Sequence, residues 1–285
     1  MASERFDLHT HSTASDGVLS PREVVALAAE RGLSGLALTD HDTVDGTAEA
    51  QAMAQVLGLQ CISGIELSCA SDFAGEVHIL GYFLNPLDAD LLALVGVLHE
   101  QRMARAASVV ELINSLGGEM SMDDVLEESH GRAPGRPHIA RAMIRRGVAG
   151  DTAEAFSPQW LAPGGRAWVR GAGVPVQQAI EVIHAAGGVA VFAHPGSRGR
   201  GQVREEALRH AASVGLDGVE VDHPDHTDDV VRRCVELAAE LNLVQTSGSD
   251  DHGVGVDGPR LGCRTVSGRV IESLRLRAEG NSPAS

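Results

Sequence analysis

Histidines and carboxylates recur where strands are expected to end. Asp7, His9 and His11 are spaced by two in a strand-like segment, and side chains of a strand alternate between faces, so all three are expected to project to one side. Two imidazoles on one face make a chelating pair. Further along stand Asp40-His41-Asp42, Glu66, His78, His194, the segment from Glu220 to His226, and Asp250 with His252. Any one of these alone reads equally well as a polar residue at a strand end, but their recurrence points to bound metal. Imidazole and carboxylate together suit manganese, zinc or iron, and a carboxylate can bridge two ions. By contrast, His99, His130, His184 and His210 fall in expected helices or loops without such companions, and read as ordinary surface or core histidines. His223 and His226 lie in the polar stretch Asp222-His223-Pro224-Asp225-His226, where substrate contact and a structural loop role both fit.

The elements that must position these residues follow from hydropathy and punctuation. Short β-branched segments alternate with amphipathic ones, as when helices cover a parallel sheet or barrel. Phe6–Ser12 reads as a strand, and Ser20-Pro21-Arg22-Glu23 supplies an N-cap, a proline at the first helical position and a capping-box glutamate. Further strands are expected at Gly35–Thr39, Leu59–Ser68 and Val77–Phe83, with a helix from Gly46 towards Gly58. From Asp88 to about Trp168 the alternation gives way to helical periodicity, at 90–116, 122–128, 137–146 and 152–160, which predicts an inserted helical domain. Alternation then resumes, with strands at 189–193, 218–222 and 243–247 and helices at 176–186, 203–214 and 228–241. The reading is an α/β catalytic barrel split between 1–87 and 170–285, with a substrate-binding insertion at 88–169. Only the tail after Glu279 reads as disordered. In α/β barrels and open sheets, functional groups gather at the carboxyl ends of strands, so residues remote in sequence converge.

Composition narrows the function classes. With 285 residues, 43% hydrophobic and 22% charged, the chain is that of a folded α/β protein. Its formal charge of −16 argues against a broad basic face for long duplex nucleic acid, though not against a small anionic substrate, because bound cations can make a local pocket electropositive. Cys61, Cys69, Cys234 and Cys263 form no Cys-x-x-Cys pair and read as free thiols. The start, Met-Ala-Ser-Glu-Arg, carries no export signal, and no apolar run is long enough for a bilayer. A cytoplasmic protein with no membrane association and no obligate protein partner is expected.

The segments Asp7-Leu8-His9-Thr10-His11-Ser12, Thr39-Asp40-His41-Asp42, Gly64-Ile65-Glu66, Ala193-His194-Pro195-Gly196 and Gly248-Ser249-Asp250-Asp251-His252 resemble, in order, the motifs of the PHP (polymerase and histidinol phosphatase) family. The resemblance implies a distorted seven-stranded (β/α) barrel with a site for two to three divalent ions, manganese first, with zinc and iron as alternatives. It implies that His9, His11, Glu66 and Asp250 hold one ion, Glu66, His78 and His194 a second, and Asp16, His41 and His252 a third. Asp7 and Asp40 are expected to orient imidazoles rather than bind metal directly. His194 and His226 are the candidate proton donors to the leaving oxygen, and Asp40 is counted with them in the catalytic set.

The helical insertion resembles that of the subgroup containing 3',5'-nucleoside bisphosphate phosphatases and 5'-to-3' exoribonucleases of short RNA, through Gly135-Arg136-Pro137-His138-Ile139-Ala140-Arg141. The guanidinium fork recognises phosphate, so Arg136 with His138, and Arg198 further on, are the candidates to hold a second phosphate; Arg136 and His138 equally suit a helix cap. Trp160 and Trp168 fit packing within the insertion better than stacking on a base. The expected activity is hydrolysis of the 3'-phosphate of a 3',5'-bisphosphorylated nucleoside, with trimming of short 5'-phosphorylated oligonucleotides as the alternative. Histidinol phosphate fits the insertion less well. A non-catalytic metal-binding module is the reading of a different class, set against the metal-binding residue at every expected ligand position.

Overall fold

The structure, a computed structural model, describes residues 4–171, 173–196, 202–253 and 260–281. In chain order it contains β1 (Phe6–Thr10), α1 (Pro21–Glu30), β2 (Gly35–Leu38), α2 (Thr47–Leu57), β3 (Gln60–Ser71) and β4 (Gly75–Tyr82), then α3 (Ala89–Ser115), α4 (Met122–Glu128), α5 (Arg136–Arg145) and α6 (Thr152–Ala155). The remainder is β5 (Val174–Pro175), α7 (Val176–Ala185), β6 (Val189–Phe192), α8 (Glu205–Ser213), β7 (Gly218–Asp222), α9 (Asp228–Glu240), β8 (Val244–Ser247) and α10 (Gly268–Asn281).

Seven strands follow the path β1-β2-β3-β4-β6-β7-β8, and the short β5 pairs with β3 off that path. The two ends meet just beyond β8, where the His11 N–H donates to the Asp251 carbonyl at 2.9 Å. A sheet whose first and last strands meet is a barrel, here a distorted seven-stranded one. β1, β2 and β3 run parallel, as do β6, β7 and β8. β4 is antiparallel to both of its neighbours. The cause is local: β3 and β4 are joined by the turn Asp72-Phe73-Ala74, and a turn without a crossover helix can only reverse the chain. This reversal governs the site. In a strand running the other way, the residues at its start lie at the mouth where parallel strands end, so His78 near the start of β4 reaches the same mouth as His194 just beyond β6.

Two expectations are corrected. The helix expected at 152–160 stops at Ala155, because Pro158 cannot continue it and disfavours helical backbone at the residue before it. The tail expected to be disordered after Glu279 is helical through Asn281, whose side-chain amide donates to Asp217 Oδ1 at 3.2 Å; residues 282–285 lie outside the described residues. Elsewhere the punctuation acts as expected. Ser20 Oγ accepts from the Glu23 N–H, while the Glu23 carboxylate accepts from the Ser20 N–H at 2.8 Å, and Pro21 opens α1.

The described residues form two compact units, one drawn from 1–95 and 173–285, the other from 96–172. In the first, Leu8, Ala37, Ile62, Leu80, Tyr82 and Val191 pack with Ile271 and Leu274 of α10. Val24, Val25, Ala28, Leu36, Leu38 and Ala50 form a separate layer between α1, α2 and β2. The second unit has its own core of Val109, Ile113, Val125, Ile139, Met143, Leu161 and Trp160.

Candidate metal centre

The histidines and carboxylates singled out above converge at one mouth of the barrel. β1 delivers His9 and His11, whose ring centroids lie 5.1 Å apart. Asp7 does not join them. The pairing of β1 with β2 shifts register between Asp7 and Thr10, and a bulge breaks the two-residue alternation that a regular strand would keep. The Asp7 carboxylate therefore accepts from the backbone N–H groups of Ser249 at 2.9 Å, Gly262 at 2.7 Å and His9 at 3.2 Å. Burial nevertheless pushes its pKa up to about 6.

Glu66, in the middle of the long strand β3, is the hub. Its Oε1 lies 2.8 Å from His78 Nδ1 and 3.0 Å from His194 Nε2. Its Oε2 lies 3.2 Å from His9 Nε2, 3.3 Å from His11 Nε2 and 3.0 Å from His41 Nδ1. Asp250 Oδ1 completes the first group, 3.4 Å from His9 Nε2 and 3.1 Å from His11 Nε2. Beside it, Asp16 Oδ1 is 3.3 Å from His252 Nε2, and the His252 ring stacks on His11 at 4.1 Å. Three sets each gather donor atoms closely enough for one ion: His9, His11, Glu66 and Asp250; His41, Glu66 and His78; and His11, Asp16, His41 and His252. His41 and His11 thus each belong to two sets, and His194 joins the cluster through Glu66.

This donor set fits divalent ions. Ligand atoms about 2.1 Å from an ion stand about 3.0 Å apart at right angles and about 3.4 Å apart tetrahedrally, which is the range of the separations above. His9 Nε2, His11 Nε2 and Glu66 Oε2 are buried without a hydrogen-bond partner among the described residues. Buried polar atoms are ordinarily paired, so atoms aimed at one another at near-contact distance and left unpaired are what residues able to hold a cation would present. Electrostatics agree. Burial opposes ionisation of Glu66, but His41, His78 and His9 outweigh it and hold its pKa well below the usual range. Asp16 and Asp250 are depressed against burial in the same way by their histidines. Burial likewise opposes the imidazolium of His9, yet Glu220, Glu66 and Asp250 raise its pKa well above normal, and Asp16 raises that of His252 to about 10. Protons on these rings stand where cations would otherwise balance the carboxylates.

Surrounding groups hold the cluster in place. Asp40 was expected to orient an imidazole; instead its carboxylate accepts from Ser12 N at 2.7 Å, Ser12 Oγ at 2.7 Å and Ser15 Oγ at 2.6 Å, and so fixes the loop that presents Asp16. Asp42 accepts from Ser68 N and Oγ at 2.6 and 2.8 Å, tying the end of β2 to β3. Glu220 is the carboxylate that holds the far nitrogen of the His9 ring, 3.2 and 3.3 Å from Nδ1. Asp42, His194 and Asp250 all have left-handed backbone, a conformation that costs a non-glycine residue energy and concentrates at functional sites.

His226 is placed differently from expectation. Its Nδ1–H donates to the Val221 carbonyl at 2.8 Å, and its Nε2 accepts the Gly196 N–H at 3.2 Å. Both ring nitrogens serve the backbone, so His226 latches two loops together and is not placed as a proton donor. His223 is buried among the ligands instead: its Nδ1 accepts from Asp225 N at 3.1 Å and its Nε2 faces Asp250 Oδ2 at 3.4 Å. Arg136 opens α5 in the second unit, and His138 Nδ1 accepts the Gly135 N–H at 2.9 Å, a capping contact. Arg198 lies outside the described residues.

Gly248 shows how closely β8 approaches the ligands. A Cβ there would meet His9 Cβ, lie 2.7 Å from His9 N and 3.0 Å from Glu220 Oε1. Gly248→Ala is therefore expected to displace His9, cost roughly 1–3 kcal/mol of stability through overpacking and weaken metal binding, as checked by urea unfolding and metal titration.

The arrangement has known counterparts. Residues 7–134 match the PHP domain. A 5'-3' exoribonuclease of Haemophilus influenzae is 34% identical over 87% of this chain and 90% of its own. A 3',5'-nucleoside bisphosphate phosphatase of Chromobacterium violaceum is 33% identical, covering 95% of this chain and 98% of its own, and a phosphoribosyl 1,2-cyclic phosphate 1,2-diphosphodiesterase of Eggerthella lenta is 35% identical, covering 90% and 98%. A solved structure from Bifidobacterium adolescentis, described as a putative metal-dependent phosphoesterase, superposes with a TM-score of 0.87 at 31% identity, covering 97% of each chain. Matches of this extent, added to the barrel and its ligand cluster, mean that the chain belongs to the PHP domain family.

Proposed function

We propose that this chain is a metal-dependent phosphoesterase that removes the 3'-phosphate from 3',5'-bisphosphorylated nucleosides, yielding a nucleoside 5'-monophosphate and phosphate. The observation that carries it is Glu66, whose two oxygens divide five imidazoles between them, as a carboxylate bridging two cations would. Two or three divalent ions, manganese first, would be held by His9, His11, Asp16, His41, Glu66, His78, His194, Asp250 and His252. When bound they supply an activated water and positive charge for the phosphoryl oxygens. The chain's own part is to fix the ligands, with buried Asp7, Asp40, Asp42 and Glu220 holding the loops and His9.

The insertion at 88–169 is the substrate-binding part of this reading, with Arg136 and His138 as its candidates to hold the phosphate that is not cut. Arg136 suits that role chemically, because the guanidinium fork matches phosphate oxygens. One relative is named a 3',5'-nucleoside bisphosphate phosphatase and supports this substrate class. No helix among the described residues is long and apolar enough to cross a membrane, and a cytoplasmic setting is part of the proposal.

A second reading, trimming of short 5'-phosphorylated RNA, is favoured by the Haemophilus influenzae relative and shares every ligand. The test is phosphate release with manganese from a nucleoside 3',5'-bisphosphate, run beside digestion of a 5'-labelled tetranucleotide. Release from the bisphosphate with a higher kcat/KM than for the tetranucleotide is expected. The opposite order would favour the nuclease, and no hydrolysis of either with any divalent ion would overturn both.

A further inference from the structure

Glu220, on β7, lies below the ligand cluster and is fully enclosed. It makes two kinds of contact at once. Its Oε1 and Oε2 lie 3.2 and 3.3 Å from His9 Nδ1, the ring nitrogen opposite the one that faces Glu66 and Asp250. Its Oε2 also accepts the backbone N–H of His194 at 2.8 Å. That residue has a left-handed backbone, φ 29°, which an L-residue keeps only when its surroundings impose it. The His194 side chain, through Nε2, reaches Glu66 Oε1 at 3.0 Å. One carboxylate therefore grips the ring of a ligand on one side of Glu66 and the main chain of a ligand on the other.

The grip is enforced from outside. Register between β7 and β8 shifts between Glu220 and Asp222, a bulge that re-aims the side chains about it. Gly248 brings the end of β8 so near that a methyl group there would stand 3.0 Å from Glu220 Oε1. Glu220 consequently has little space in which to change rotamer. A carboxylate on the far nitrogen of a ligating imidazole fixes the tautomer, orients the ring and raises its basicity.

We infer that Glu220 is a positioning residue that sets two metal groups together, the His9 group by its imidazole and the His194 group by its backbone. This rests on the metal-dependent reading proposed above. Loss of Glu220 therefore weakens two ions in parallel, whereas the ion at Asp16, His41 and His252, which Glu220 does not touch, is spared. A residue of merely structural importance would weaken all sites or none.

The experiment is titration of metal-free wild type and Glu220→Gln with manganese, following free ion by electron paramagnetic resonance, beside thermal unfolding of both metal-free proteins. The expected result is that two equivalents bind roughly 10–100-fold more weakly in the variant while any third keeps its affinity, whatever stability the metal-free variant loses with the buried Glu220–His9 contact. Unchanged affinity, or weakening confined to one equivalent, would overturn the inference and leave the hydrolase reading standing. A wild type that binds no divalent ion would overturn both. Should Glu220→Gln fail to fold, Glu220→Asp carries the test, because it keeps the charge but is one methylene too short to span His9 and His194; it too should weaken two equivalents, and wild-type affinities in it would overturn the inference.

Discussion

Replacing Glu66 with glutamine is expected to lower hydrolysis by roughly a hundredfold to a few thousandfold, since breaking a buried charge pair costs roughly 3–5 kcal/mol and each 1.4 kcal/mol is about tenfold in rate. Its side chain has no exposed surface and meets His78 and His194 through one oxygen and His9, His11 and His41 through the other. Glutamine keeps the shape but cancels the charge, and its NH2 must face one of those two sets of nitrogens as a donor. No rotamer satisfies both. The variant should therefore lose the ion shared by His9, His11 and Asp250 as well as the one beside His78. Steady-state kinetics with metal analysis of the purified variant checks this, and an active Glu66→Gln with full metal content would refute the bridging role.

Acid should strip the centre. In the metal-free protein burial opposes the charged forms of His9 and His252, but their carboxylate neighbours prevail, raising His9 well above normal and His252 to about 10. Each ring must give up its proton before it can coordinate. Manganese affinity at the site of His252 is accordingly expected to rise roughly tenfold per pH unit, so about a hundredfold between pH 6 and pH 8, and affinity at the site of His9 to rise in the same direction. Stability of the metal-free protein should move the other way. A histidine whose folded pKa is raised stabilises fully below its unfolded value near 6.5, and that contribution fades as pH climbs through the folded value, here about 10 for His252. Calorimetric titration in two buffers of different ionisation enthalpy measures the released protons, and unfolding midpoints of the metal-free protein at pH 6, 8 and 10 measure the second effect. Affinity independent of pH would refute this proton inventory.

The candidate ligands that meet at the barrel mouth were legible because their spacing at strand ends survives any detail of packing: His9 and His11, His41, Glu66, His194, and Asp250 with His252 each follow or interrupt an apolar run that had to be a strand. His78 was found by the same rule although the rule's premise fails for it. It stands near the start of its strand, and the antiparallel turn of β4 brings that start to the shared mouth. The supporting carboxylates were assigned less well. Asp7 and Asp40 sit beside ligands in sequence, yet one serves the backbone behind a bulge and the other holds Ser12 and Ser15, while Glu220, distant in sequence, holds the ring of His9. The dense polar run at the end of β7 was the available signal for Glu220.

By itself the amino-acid order determined the alternation of strands and helices, the helical insertion and the identity of the residues that could hold metal, because hydropathy periods and donor chemistry are local properties of a chain. Tertiary structure alone decided which carboxylate faces which imidazole, that His226 is committed to two loops, and that Glu66 stands between two sets of ligands. Those outcomes depend on bulges in β1 and β7 and on closure of the barrel between Thr10 and Asp251. A shift of one residue in strand register turns a side chain to the opposite face, and no short stretch of sequence specifies its own register.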